Sequence, residues 1–306
     1  MPYGAVPGYS KVAEDSGSLT TTSQGTKLTT AATANVKGAY FTVVSSSAFA
    51  AHGFVFQFGQ CSTGIDFMVD IAIGAAGSEI VIVPNVCIGS GTGACARKSG
   101  YLIPIAIPAG TRISARAQGT SLTTAVYIKI HLLGDLPGGM DSYGKMLTYG
   151  DNSATSQYTS VDPGGVANTK GAWVTLAAST TYPIKGFMFD TSNLKQTART
   201  GANWLLDIGV GAAASEHVII PNYHMECVTT DDMILHSPSI IWPISIPAGT
   251  RIAARCQSSL ITCYREPTSG RYSGLLMTGV RGRFDTNLNS GDCSHGSRCA
   301  DGQRSR

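Results

Sequence analysis

Residues 104–118 read PIAIPAGTRISARAQ and residues 243–257 read PISIPAGTRIAARCQ, identical at 12 of 15 positions. They differ only at Ala106/Ser245, Ser114/Ala253 and Ala117/Cys256. Upstream of each lies a second matched block, DIAIGAAGSEIVIVPN from Asp70 and DIGVGAAASEHVIIPN from Asp207, identical at 11 of 16 positions. A third pair is ANVKGAY from Ala34 and ANTKGAW from Ala167. The blocks keep their order, and their offsets grow from 133 to 137 to 139 residues. The second copy therefore carries short insertions of the kind that surface loops accept. Whatever this chain folds into must be a unit of about 130 residues used twice, which is too few copies for a solenoid.

Within each copy the pattern is that of strands. In TAVYIKIHLL, Val126, Ile128, Ile130 and Leu132 fall on one face and Tyr127, Lys129 and His131 on the other, the period-2 alternation of a half-buried strand. FVFQF at 54–58 is a second strand. EIVIVPN and HVIIPN read as strands buried on both faces and stopped by a Pro-Asn turn. The Gly/Ala stretch GAAGSE reads as a turn between strands. In IPAGTRISARAQ, Pro108-Ala109-Gly110 makes a type I turn, and a strand begins at Thr111. Alternation then puts Thr111, Ile113, Ala115 and Ala117 on one face and Arg112, Ser114, Arg116 and Gln118 on the other. Short strands between Gly/Pro/Ser/Thr turns, without an amphipathic helix, predict an all-β chain of two tandem jelly-roll-like β-sandwiches. The expected divisions are an N-terminal arm over 1–8, β-sandwich repeats over 9–138 and 139–286, and a polar C-terminal tail over 287–306. The end of the chain, from Arg281, is polar enough to serve as an arm laid on a neighbouring subunit or to fray as a terminus.

Asp, Glu, Lys and Arg make up only 13% of the chain, about half the usual ~25%. A net charge of +3 spread along the sequence makes no dense basic face, so nucleic acid is not an expected partner. A surface poor in charge suits coverage by other subunits, and it also suits a soluble β protein rich in Thr and Ser. The N-terminus MPYGAVPGYSKVAEDSG lacks the features of a secretory signal, and no apolar run reaches 18 residues. The expectation is a protein made in a cytoplasm that does not span a membrane.

Two arginines per copy, Arg112 and Arg116, then Arg251 and Arg255, occupy the same phase and look set against Asp70 and Asp207. The first reading is an internal salt bridge between adjacent strands; the alternative is a carboxylate or phosphate site. Among eight cysteines, the spacings Cys87/Cys95, Cys256/Cys263 and Cys293/Cys299 could each close a small loop, with reduced thiols the default inside a cell. CSHGSRC with His295 lacks the paired C-x2-C spacing of a zinc site. No nucleophile elbow, phosphate loop or acid/base pair is present. No catalytic residue, cofactor site or metal ligand is assigned, and the chain reads as a non-enzyme.

The paired blocks DIAIGAAGSEIVIVPN and PIAIPAGTRISARAQ, with their second copies, resemble structural proteins of tailed bacteriophage virions over residues 34–260. The resemblance implies a virion component made in the host cytoplasm. The first expectation is a capsid cement (decoration) protein, a homotrimer whose partner is the major capsid protein. The alternative is a tail or spike protein binding host-surface glycan through exposed aromatics, for which Trp173, Trp204 and Trp242 are the candidates, with Tyr40 and Tyr101 at comparable places in the first copy.

Overall fold

In the computed structural model, the structure describes residues 14–16, 25–61, 65–88, 90–91, 94–95, 99–134, 143–191, 203–226, 241–259 and 275–281. The protein is all-β, built of several antiparallel sheets arranged as roughly two tandem sandwich-like units, and no helix occurs among the described residues.

The first unit pairs two sheets. One contains Gly53–Cys61, Ser99–Ile103 and Ala125–Leu133, with Glu14–Ser16 and Thr26–Thr29 both paired to Ala125–Leu133. The other runs in the order Phe41–Val44, Ile113–Gly119, Phe67–Ile73, Ile80–Ile88. Alternation fills the space between them: Val126, Ile128, Ile130 and Leu132 are fully buried, together with Phe54, Phe56, Ile71, Ile113 and Ala115. Apolar burial on this scale is the main force holding the sheets together.

The second unit repeats the four-stranded sheet in the equivalent order Val174–Ala177, Ile252–Ser258, Asn203–Val210, His217–Glu226. Opposite it lies a three-stranded sheet of Lys145–Tyr149, Leu275–Arg281 and Phe189–Thr191. Its core gathers Phe187, Phe189, Trp204, Leu206, Ile208 and Ile252. The units interlock, because Met146 and Met188 of the second belong to the apolar core of the first.

Two local expectations are corrected. Pro84-Asn85 and Pro221-Asn222 do not stop their strands, which continue to Ile88 and Glu226. Each asparagine instead takes a positive φ, 52° and 51°, beside a register shift in the pairing, so Pro-Asn makes a bulge. The strand after the Pro-Ala-Gly turn starts at Ile113, not Thr111. On the face that carries Arg116, Ser114 and Gln118 are buried, Gln118 because a segment of the second unit lies over it.

Candidate functional site

The residues preserved between the copies converge on one carboxylate in each. Asp70 and Arg116 are direct cross-strand partners, as are Asp207 and Arg255. The Asp70 Oδ2 accepts from Arg116 Nε at 2.9 Å, and its Oδ1 accepts from Lys37 Nζ at 2.8 Å and from the Asn85 N–H at 2.9 Å. Asp207 receives the same three bonds, from Arg255 at 2.9 Å, Lys170 at 2.8 Å and the Asn222 N–H at 2.8 Å. Each Lys also donates to a strand carbonyl, Met68 or Leu205. The positive φ at Asn85 and Asn222 turns that N–H onto the carboxylate, so bulge and ion pair form one device. The expected salt bridge therefore holds for Arg116 and Arg255.

Arg112 and Arg251 take other partners. The Arg112 guanidinium donates to Glu79 at 3.0 Å, to the Gly74 carbonyl at 3.1 Å and to Thr42 at 3.0 Å. Arg251 does the same with Glu216 at 2.7 Å, Gly211 at 3.4 Å and Thr175 at 3.0 Å. These arginines clamp the turn between two strands onto a third. Arg112→Ala or Arg251→Ala should lower stability by about 1–3 kcal/mol, the cost of half-buried charged hydrogen bonds. An unchanged melting midpoint in either variant would remove the clamp.

The ANxKGA(Y/W) block completes the network. Asn35 and Asn168 take φ of 59° and 57°, placing the following lysine over the sheet. At Gly38 a Cβ would meet the Thr29 carbonyl oxygen at 2.4 Å, and at Gly171 that of Asp162 at 2.3 Å, so only glycine fits the close backbone crossing. The aromatic residue that ends the block supports the arginine: Arg116 lies 4.6 Å above the Tyr40 ring and Arg255 4.6 Å above Trp173, a cation–π contact.

Burial by itself would raise the Asp207 carboxyl, but the bonds from Lys170, the Asn222 N–H and Arg255 outweigh it and hold the group below its ordinary range. A carboxylate lowered on folding adds stability above its unfolded pKa of about 3.9 and loses it as pH falls through the folded value. The denaturation midpoint of the second unit should therefore drop below about pH 4. Asp207→Asn should flatten that part of the profile, and an equally steep acid limb in the variant would assign the effect elsewhere. Burial likewise pulls the Lys37 ammonium down, with Asp70 restoring part of the loss.

The two networks differ in what covers them. Residues 151–158, a hairpin pairing Asp151–Asn152 with Gln157–Tyr158, lie on the outer face of the first unit. Asn85 Nδ2 donates to Asp151 at 2.7 Å, and Gln118 Nε2 donates to the Ser153 carbonyl at 2.7 Å and to Ser156 Oγ at 3.0 Å. Ser156 Oγ donates to Asn35 at 2.8 Å. The Tyr158 hydroxyl accepts from the Cys87 N–H at 2.9 Å and donates to the Cys87 carbonyl at 3.2 Å. Thr148 Oγ1 donates to the Pro84 carbonyl beside it. Sequence reasoning missed this hairpin, since no side chain in it signals a contact 70 residues upstream.

The remaining candidates resolve as follows. Cys87 and Cys256 are buried, their sulfurs 3.6 Å and 3.3 Å from the carbonyl oxygens of Ser156 and Val161, and Cys263 lies outside the described residues. Cys61, which no short spacing singled out, is disulfide-bonded. Cys293, Cys299, His295 and the tail over 287–306 lie outside the described residues, as does the arm over 1–8. Among the described residues no group of three His, Cys, Asp or Glu could hold a metal, and no helix is long and apolar enough to cross a membrane. Trp204 is buried, Trp242 stacks on Phe189 at 6.2 Å and meets Tyr223 edge-on, and Trp173 lies beneath Arg255.

No protein-family model and no curated protein sequence matches the chain. Among solved structures it is similar to PNGase F, a glycosylasparaginase from Flavobacterium meningosepticum, at 9% identity over 89% of this chain and 96% of that one, with a TM-score of 0.38.

Proposed function

We propose that this chain is a structural protein of a tailed-phage virion, a capsid cement protein of two jelly-roll-like sandwiches that binds the major capsid protein as a homotrimer. The observation that carries the reading is the fate of the charges that the duplication preserves. Lys37, Asp70, Glu79, Arg112 and Arg116, and their counterparts Lys170, Asp207, Glu216, Arg251 and Arg255, are all bonded inside their own unit. They brace a sheet, and among the described residues the charges shared by both copies are spent on that bracing. A braced, twice-used sandwich with few surface charges suits a lattice component that must survive as a spacer between larger subunits. The glycan-binding alternative drew on Trp173, Trp204 and Trp242, and those rings are engaged in packing.

A cement subunit binds the assembled lattice better than free capsid protein, so mass action makes it stabilise the shell. Several lattice contacts per trimer raise its effective concentration at the remaining sites, so weak individual contacts suffice. Quantitative gel densitometry of purified virions should find it in a fixed, high ratio to the major capsid protein, and particles lacking it should break at lower temperature. A handful of copies confined to the tail, with unchanged particle stability in its absence, would sink the reading.

A further inference from the structure

Among the described residues, segments of the second unit lie on the first. The hairpin that opens the second unit lies on the outer sheet face of the first, where Met68, Cys87 and Gln118 are buried beneath it. The same face of the second unit is made of equivalent residues: Asn168 for Asn35, Leu205 for Met68, Asn222 for Asn85, His224 for Cys87 and Gln257 for Gln118. There Asn168, Asn222 and His224 are exposed, and Leu205 and Gln257 are half-buried. A receptor face has been copied, and among the described residues nothing equivalent to the hairpin covers its second copy.

The segment that fills the first face has been copied as well. Residues 150–157 read GDNSATSQ, and residues 17–24, at the same offset of 133 that relates Lys37 to Lys170, read GSLTTTSQ, identical at four of eight positions. Ser23 is thus the counterpart of Ser156, the residue that donates to Asn35 and accepts from Gln118; Asn168 and Gln257 offer it the same two partners. In the first unit residues 17–24 join Glu14–Ser16 to Thr26–Thr29, with Ser16 opposite Ile130 and Thr26 opposite Ile128 on one strand. One position changes on both sides. By position Gly25 corresponds to Tyr158 and His224 to Cys87, so a large residue on a small one would be exchanged for a small one on a large one.

We infer that residues 17–24 of a second copy of this chain dock on the outer face of the second unit, so that copies associate head to tail. The face is exposed at Asn168, Asn222 and His224, and the occupant inferred is a second copy; a chain that closed the face with its own segment would run as a monomer. The contact is heterologous, using one surface of each copy, and it generates a ring if the rotation closes and a filament if it does not. It stands on the internal repeat alone and does not depend on the virion reading.

The test uses purified full-length chain and light scattering after gel filtration. The native protein should run as multiples of its 31.9 kDa monomer. A variant with a spoiled segment, Thr22→Arg with Ser23→Arg, and one with a spoiled face, His224→Arg with Gln257→Arg, should each be monomeric, with native circular dichroism and melting. Mixed together they should form a dimer and nothing larger, since one keeps the face and the other the segment. As a second measurement independent of spoiled folding, a chain carrying Ser23→Cys and a chain carrying Gln257→Cys should oxidise to a mixed dimer. A monomeric native chain, a variant that assembles like the native protein, or the absence of the mixed dimer would each overturn the proposal.

Discussion

Asp207→Ala should lower the stability of the second unit by about 3–5 kcal/mol, because it strands two cations rather than merely deleting a pair. Lys170 and Arg255 are held at 2.8 and 2.9 Å from a carboxylate whose side chain is only 5% exposed. Without it the lysine has left a carbonyl, Leu205, and the arginine has the Trp173 ring, neither of which neutralises charge. The Asn222 N–H also loses its acceptor, which removes the reason for its positive φ. Asp70→Ala should act in the same way on the first unit. Denaturant titration separates this from a surface effect: a loss under about 1 kcal/mol, the worth of an exposed ion pair, would mean that water already screens the site.

A chain cut at residue 138 should be less stable than one cut at residue 160, by about 2–5 kcal/mol, roughly the burial of one or two large apolar side chains. The shorter fragment lacks Met146, which is buried in the first unit's core, and the hairpin over Met68, Cys87 and Gln118. It leaves Asn85 and Gln118 facing water and the Met68 side chain uncovered. In the intact chain, Tyr158→Ala should reproduce a part of this, since it removes a ring that is 4% exposed together with both of its bonds to Cys87. Equal midpoints for the two fragments would show that the hairpin merely rests on the sheet.

The duplication, the strands and the identity of the bracing arginines were legible in the sequence, because period-2 alternation and repeated blocks are local signals. Arg116 and Arg255 were set against Asp70 and Asp207 because they recur at one phase in both copies. Arg112 and Arg251 could not be separated from them, because their partners, Glu79 and Glu216, lie past a turn whose reach depends on register. Lys37, Lys170 and the glycines after them were visible as repeated letters without a role: the need for glycine comes from a backbone crossing between strands distant in sequence. The hairpin was illegible for a different reason. Its contacts run through Ser, Asn and backbone carbonyls, and such residues fill every turn of this chain.

The hairpin also orders events during synthesis. The last strand of the first unit ends at Leu133, but the residues that cover its outer face end at Tyr158. At about 5–20 residues per second, the ribosome needs on the order of 1–5 s to make the difference. For that interval a nascent sandwich with its own strands in place presents an unfinished flank, and its closest competitor for that flank is the matching segment of a neighbouring nascent chain on the same message. Tethering settles the contest: the chain's own hairpin arrives joined by a short link and at high local concentration, so the first flank closes in cis, and only the second remains to be met by another molecule.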